Sequence, residues 1–184
     1  MGATQLSIPE ALALRYKGNC QVFCETGTYK GGSAIWAVDH FERVYTIEGY
    51  RQRFDKTAAA LAGKYHNLHM IYGDSRAELA RVIAPIQQPI FYWLDAHWCG
   101  EGAHDSNGDE CPLADELNAI AHHPYAAQSV IMIDDARLFT AAPPYPHDPA
   151  QWPSYDEIEI ELRRLPRQVW VQDDVIIAVP EALR

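Results

Sequence analysis

A three-layer α/β sandwich is the fold this sequence predicts, with helices on both faces of a mostly parallel seven-stranded sheet that ends in an antiparallel C-terminal hairpin. Three observations predict it. Short β-rich runs alternate with longer helix-like runs along most of the chain, the pattern of right-handed crossovers between parallel strands. The last two β-rich runs are separated by little more than Asp173 and Asp174, too short a link for a crossover, so they pair antiparallel. The 184 residues, 48% hydrophobic and 22% charged, suit one domain over 1–184 that is large enough to bury a core.

Within residues 1–19, SIPEALALRYKG predicts a lead-in helix, with Ser7 as N-cap, Pro9 near the first turn and Gly18 at its end. QVFCE then reads as strand and GSAIWAVDHF as helix, followed by RVYTIE and YRQRFDKTAAALAGKY, then NLHMIYGD and SRAELARVIAP. The alternation continues through IFYWLD and CPLADELNAIAHHP to SVIMIDD. After it comes AAPPYPHDPAQWPS, too rich in proline for a helix or a central strand. SYDEIEIELRRL is again helical, and VWVQ and DVIIAVP form the hairpin. The segments 96–111 and 140–153 are expected as loops over a site at the carboxyl edge of the sheet, and the sequence contains no internal repeat.

Lys and Arg total 15 against 25 Asp and Glu, a net charge of -10, so bulk electrostatics would repel a phosphodiester backbone and nucleic acid is not an expected partner. The N-terminal stretch lacks the pattern of a signal peptide, and no run of about 18 apolar residues follows. The expectation is a soluble, cytoplasmic protein without a membrane partner; homo-oligomerisation is left open. MGATQLS fits the loose myristoylation pattern, but a bare soluble start is the preferred reading. Cys20 and Cys24, four apart in a strand-like run, are expected to point to one face as small core residues. Cys99 and Cys111 bracket a polar segment carrying His104, Asp105, Asp109 and Glu110. Their spacing matches no standard zinc pattern, and an irregular loop over the site is preferred to a structural zinc centre.

In an open parallel sheet, ligands sit outside the carboxyl ends of the strands where strand order reverses. The first strand ends in CETGTYKGGSA, which offers Glu25, Gly27, Gly31, Gly32 and a helix start at Ser33. Glycines allow close backbone approach, and a helix start favours a carboxylate. The spacing is neither that of a dinucleotide fingerprint nor that of a phosphate loop. The second strand ends in TIEG, placing Glu48 some 23 residues after Glu25, where a carboxylate can accept from both ribose hydroxyls. The third ends in YGDS, where Asp74 and Ser75 could meet an adenine amine or ring nitrogen; the alternative is an ordinary helix N-cap. The fourth delivers Asp95 and His97, the fifth Asp134 and Asp135. Three carboxylates converging there repel each other unless a cation or a proton neutralises them, and an all-oxygen set suits Mg²⁺ or Mn²⁺.

ETGTYKGGSA resembles the first motif of class I S-adenosylmethionine-dependent methyltransferases of the metal-dependent catechol and caffeoyl-CoA O-methyltransferase group. WLDAHW and MIDDA resemble that group's fourth- and fifth-strand endings, so the likeness runs from about Gln21 to Arg137. It implies the Rossmann-like fold of that class and methyl transfer to a small hydroxylated acceptor. By the resemblance, Glu25, Gly27, Tyr29 and Ser33 would surround the methionine part of S-adenosylmethionine and Glu48 would hold its ribose. Asp95 would serve both cofactor and metal, with Asp134 and Asp135 completing the cation site.

Two positions depart from the family pattern. Asp135 stands where the group has Asn, and Trp98 stands where it has a lysine base, because Ala96 is inserted. His97 is the substitute base, since an imidazole is neutral and basic near pH 7; contact with the adenine or metal ligation are its alternatives. Two other functions remain open at this level: a non-catalytic cofactor-binding or assembly module, and a metal-dependent hydrolase built on Asp95, His97, Asp134 and Asp135. Trp98, Tyr145 and Trp152 suggest a flat or sugar-like acceptor.

Overall fold

The computed structural model describes residues 8–98 and 109–183. Ser7, the N-terminal myristoylation pattern, Cys99, His104 and Asp105 lie outside the described residues.

Among the described residues, each predicted run folds as expected in kind. The strands are β1 (Val22–Thr26), β2 (Arg43–Glu48), β3 (Leu68–Tyr72), β4 (Ile90–Leu94), β5 (Val130–Ile133), β6 (Arg167–Gln172) and β7 (Val175–Pro180). The helices between them are α1 (Glu10–Tyr16), α2 (Gly32–Val38), α3 (Arg51–Leu61), α4 (Ser75–Ile83) and α5 (Leu113–Ala121), then a single turn α6 (Arg137–Thr140) and α7 (Tyr155–Leu162). The lead-in helix α1 starts after Pro9 with no side-chain cap, and Gly18 follows its end with φ +57°. Ser154 and Glu157 close a reciprocal capping box at the start of α7.

The sheet order is β3-β2-β1-β4-β5-β7-β6, with β1 to β5 parallel and β7 antiparallel to both neighbours. The chain passes from β5 out to the edge as β6 and returns as β7 into the gap. Composition explains which strand goes inside: VIIAVP is buried along its whole length, whereas RQVWVQ is partly exposed. Asp173 and Asp174 make the two-residue turn with φ +51° and +62°, the pair of positive angles of a type I′ hairpin.

Side-chain alternation along the strands divides the core in two. Val22, Cys24, Tyr92, Leu94, Ile131 and Ile133 pack with α4, α5 and α7. Phe23, Phe91, Trp93, Val130, Met132 and Ile177 pack with α1 and α2. Cys20 and Cys24 are both buried, as expected, but lie in different layers. The expectation of a shared face is corrected because β1 begins only at Val22, so strand alternation does not extend back to Cys20.

Candidate active site

Strand order reverses between β1 and β4: β1, β2 and β3 run outward to one side, β4 and β5 to the other. The register levels the strand ends there. Thr26 stands beside Ile47 and Leu94, and Leu94 beside Ile133, so the polar residues that follow each strand emerge along one edge. The amide of Asp95 donates to Thr26 O at 3.0 Å and that of Asp134 to Leu94 O at 3.1 Å.

The loop from β1 to α2 crosses this crevice against the end of β4. Gly27 has φ +87°, and a Cβ there would lie 2.1 Å from the carbonyl oxygen of Asp95. Only glycine allows the two backbones to approach so closely. Glu25 is fully buried just before it. Ser33 Oγ donates to Glu25 Oε1 at 2.7 Å, while Oε2 has no hydrogen-bond partner. Burial, reinforced by the charges of Asp95 and Glu48 and only partly offset by the Ser33 hydrogen bond and the nearby Thr46 hydroxyl, pushes its pKa up to about 8.

Glu48 is buried at the end of β2 and clamps both flanking loops. Its Oε2 accepts from Tyr29 N at 2.8 Å and its Oε1 from Tyr50 N at 2.9 Å. Each oxygen keeps a second lone pair. Tyr29 has φ +49°, its carbonyl accepts from Thr57 Oγ1 at 2.8 Å, and its half-exposed ring lies 4.9 Å from Lys30 Nζ.

At the end of β3, Asp74 is the N-cap of α4: Oδ1 accepts from Arg76 N at 3.0 Å and Oδ2 from Arg76 Nη1 at 3.1 Å. Arg76 also reaches Asp109 at 2.8 Å and Asp115 at 3.5 Å. Ser75 is buried, and its hydroxyl and that of Thr26 lie against the carboxyl of Glu116. Burial raises the Glu116 pKa against the opposing influence of those nearby hydroxyls and the charges of His97 and Arg76. Glu116 was missed in the sequence, although it occupies the apolar stripe Leu113, Glu116, Leu117, Ile120 of α5, and an acid in such a stripe signals a buried polar contact.

At the ends of β4 and β5 the structure gathers Asp95, His97 and Asp135, whose ligand atoms all lie within 4.8 Å of one another. Asp134, the third expected ligand, stands outside that group. His97 Nε2 is 2.8 Å from Asp135 Oδ2 and 4.0 Å from Asp95 Oδ1. The His97 ring is buried, with Trp152 at 5.4 Å and Phe139 at 6.0 Å edge-on to it. Burial pulls its pKa down, but the Asp135 hydrogen bond and the Asp95, Asp135 and Asp134 charges outweigh this and leave it raised. Asp135 responds in the opposite sense: burial alone would raise it, yet His97 and Arg137 hold it below the ordinary value. Asp134 is pushed up to about 6 by burial and the Asp135 charge, although the Asp135 amide donates to its Oδ1 at 2.8 Å.

Why Asp135 and not Asp134 joins the group follows from the strand. Met132 packs in one layer and Ile133 in the other, so two consecutive aspartates leave β5 in different directions, and Asp135 turns further through φ +55°. Its other oxygen, Oδ1, is 2.7 Å from Arg137 Nη1. Arg137 in turn pairs with Asp174 in the hairpin turn, whose Oδ1 accepts the Arg137 amide at 2.8 Å and whose carbonyl accepts that of Ala136 at 2.8 Å. Arg137 and Asp174 were not anticipated; their pairing exists only because β7 lies beside β5.

The proline-rich segment lies against this group through Trp152, whose ring is 5.4 Å from that of His97. Glu110, buried, accepts from Trp152 Nε1 at 2.7 Å and from Asp148 N at 3.1 Å, with His147 Nδ1 at 3.3 Å. Gln151 Oε1 accepts the Glu110 amide at 2.9 Å. Glu110 thereby holds Trp152 against His97. Trp98 lies 5.1 Å from the His147 ring, whereas Tyr145 is 96% exposed and points into solvent. Cys111 is buried beside Leu113 and Leu117, and burial pushes its thiol up to about 12.

No protein-family model and no curated protein sequence matches this chain. Solved structures do. S-adenosylhomocysteine-bound methyltransferase PaMTH1 of Podospora anserina superposes with a TM-score of 0.58 at 19% identity, over 88% of this chain and 72% of its own. A provisionally assigned caffeoyl-CoA O-methyltransferase of Staphylococcus aureus gives 0.58 at 14% identity, over 93% and 79%. Precorrin-6y C5,15-methyltransferase of Geobacter metallireducens gives 0.57 at 13%, over 96% and 92%. The fold is therefore the Rossmann-like fold of S-adenosylmethionine-dependent methyltransferases. Fold does not choose among acceptors, and the two of these names that state an acceptor give different ones.

Proposed function

We propose that this protein is an S-adenosylmethionine-dependent O-methyltransferase that acts on a small hydroxylated acceptor with the help of a divalent cation. The observation that carries the reading is the β1–β4 crevice. There a glycine that tolerates no side chain lays its loop on Asp95, between the buried carboxyls of Glu25 and Glu48. The residues fit the cofactor. Glu25 keeps an unpartnered buried oxygen, a place for the ammonium of the methionine part, and Gly27, Tyr29 and Ser33 line the same turn. Glu48 has one lone pair left on each oxygen, matched to two neighbouring ribose hydroxyls. Asp74 and Ser75 border the adenine side, although Asp74 is already engaged as a helix cap.

When bound, S-adenosylmethionine would supply an electrophilic methyl group, and a cation would supply charge that lowers the pKa of an acceptor hydroxyl. The chain's own part is to align the acceptor oxygen with the methyl group and to exclude water. Trp152, held by Glu110 against His97, walls the edge on the acceptor side. Asp95, His97 and Asp135 are the residues placed to hold the cation.

Calorimetry with S-adenosylmethionine and S-adenosylhomocysteine tests the reading. Both should bind, and Glu48→Ala should weaken both by about 1.5 to 3 kcal/mol, the range for hydrogen bonds to a charged group. Absence of heat with either ligand in the folded protein would remove the cofactor assignment.

A further inference from the structure

The cluster at the ends of β4 and β5 differs in kind from a set of three carboxylates. It consists of two carboxylates and an imidazole, with the ring nitrogen between them. We infer that Asp95, His97 and Asp135 form a mixed oxygen–nitrogen centre for a first-row transition cation, that Mg²⁺ is not its preferred ion, and that His97 is a ligand and not the base. This deepens the methyl-transfer reading and rests on it only for the ion's purpose; the centre itself stands on its side chains.

Distance is the first argument. Adjacent ligands of an octahedral ion at about 2.1 Å are about 3 Å apart. His97 Nε2 and Asp135 Oδ2 are 2.8 Å apart, and Asp95 Oδ1 is 4.0 Å from the same nitrogen. Asp95 must close on the ring nitrogen by about 1 Å, and its side chain is a quarter exposed and so not packed on every side.

Donor chemistry is the second. Mg²⁺ selects oxygen ligands and retains water, whereas imidazole raises the affinity of an otherwise carboxylate site for first-row transition ions. Replacing the expected Asp134 by His97 therefore shifts the preference away from Mg²⁺. The nitrogen lone pair that a base would use is the one a ligand donates, so His97 cannot hold both roles at Nε2.

The third argument is the scaffolding behind the ligands. Arg137 holds Asp135 Oδ1 at 2.7 Å and is itself tied to Asp174, which leaves Oδ2 facing His97 as a single-oxygen ligand. Asp134 acts one step back, accepting the Asp135 amide. Trp152 and Phe139 fix the ring plane of His97. Such outer contacts orient ligands and raise affinity.

The test uses the full chain after chelator treatment, titrated with Mn²⁺, Co²⁺ and Mg²⁺ by calorimetry, with pulsed electron paramagnetic resonance of the Mn²⁺ form. One Mn²⁺ should bind more tightly than Mg²⁺ and show nitrogen modulation from an imidazole, a readout that needs no variant. His97→Gln should lower Mn²⁺ affinity about 10- to 100-fold, erase the nitrogen signal and leave the S-adenosylhomocysteine heat unchanged. Mg²⁺ bound as tightly as Mn²⁺, or a Mn²⁺ form without nitrogen modulation, overturns the inference. So does a greater loss of Mn²⁺ affinity in Asp134→Asn than in His97→Gln, which would return the set to three carboxylates. A nitrogen-coordinated Mn²⁺ in protein that gives no heat with S-adenosylhomocysteine keeps the centre and removes the transferase reading; heat with that ligand and no bound ion does the reverse.

Discussion

Glu25 carries an energetic cost that its proposed role beside the S-adenosylmethionine ammonium would offset. Its carboxyl is fully buried, and its pKa stands at about 8 against an ordinary 4.5. Between those values the folded chain holds a proton that the unfolded chain has released, so this group's stabilisation is full below pH 4.5 and declines as pH rises through 8. At about 1.4 kcal/mol per unit, the fall approaches 4 to 5 kcal/mol as an upper limit. Denaturant titrations of the ligand-free protein from pH 5 to pH 9 should show the decline, and Glu25→Gln should flatten it; a parallel decline in the variant would assign the effect to other groups. An ammonium seated beside Glu25 favours the carboxylate. Cofactor binding at pH 7 should therefore release a proton, seen as a calorimetric heat that varies with the ionisation enthalpy of the buffer. Glu25 and Glu48 were legible in the sequence because each ends a β-rich run. Glu116 and Arg137 were not read, since the contacts that give them meaning come from α4, β1 and the hairpin turn.

At the scale of elements, the turn between β1 and α2 has the narrowest tolerance. Gly27 combines φ +87° with a virtual Cβ 2.1 Å from Asp95 O and 2.6 Å from its carbonyl carbon. Gly27→Ala must move the turn or the end of β4, and neither is the flexible end of a side chain. The expected loss is about 3 kcal/mol or more, from backbone strain plus displacement, measured by chemical denaturation. Binding of S-adenosylhomocysteine should fall with it. Wild-type stability and affinity in Gly27→Ala would mean that the two backbones are not in contact. The pairing of β6 with β7 was readable from the two-residue link, because a type I′ turn joins only antiparallel neighbours. The insertion of β7 between β5 and β6 was not, since it depends on which strand has two apolar faces to bury against the helices.

For the molecule as a whole, the two apolar layers are contributed by the helices and the sheet, whereas the ligand cluster lies at the sheet's edge beyond the strand ends. The cation is therefore expected to be needed for transfer and not for folding. Chelation should abolish methyl transfer while far-ultraviolet circular dichroism stays constant. The melting temperature should fall only by mass action, equivalent to about 2.7 kcal/mol when the ion was present at about 100 times its Kd. Cooperative unfolding on addition of chelator would place the ion among the elements that hold the fold. Among the described residues no helix is long and apolar enough to cross a membrane.

The sequence by itself determined the kinds of element, their order, the antiparallel hairpin and the acidic residues at each strand end. Those features depend on local periodicity and on residues adjacent in the chain. The tertiary structure decided the rest: that β7 lies inside β6, that Asp135 and not Asp134 meets Asp95 and His97, that Arg137 is fixed by a turn 37 residues away, and that Glu110 pins Trp152 over the site. The physical reason is the same in each case. A strand's alternation is lost within a residue or two of its end, and beyond that point the direction of a side chain is set by whatever distant segment packs beside it.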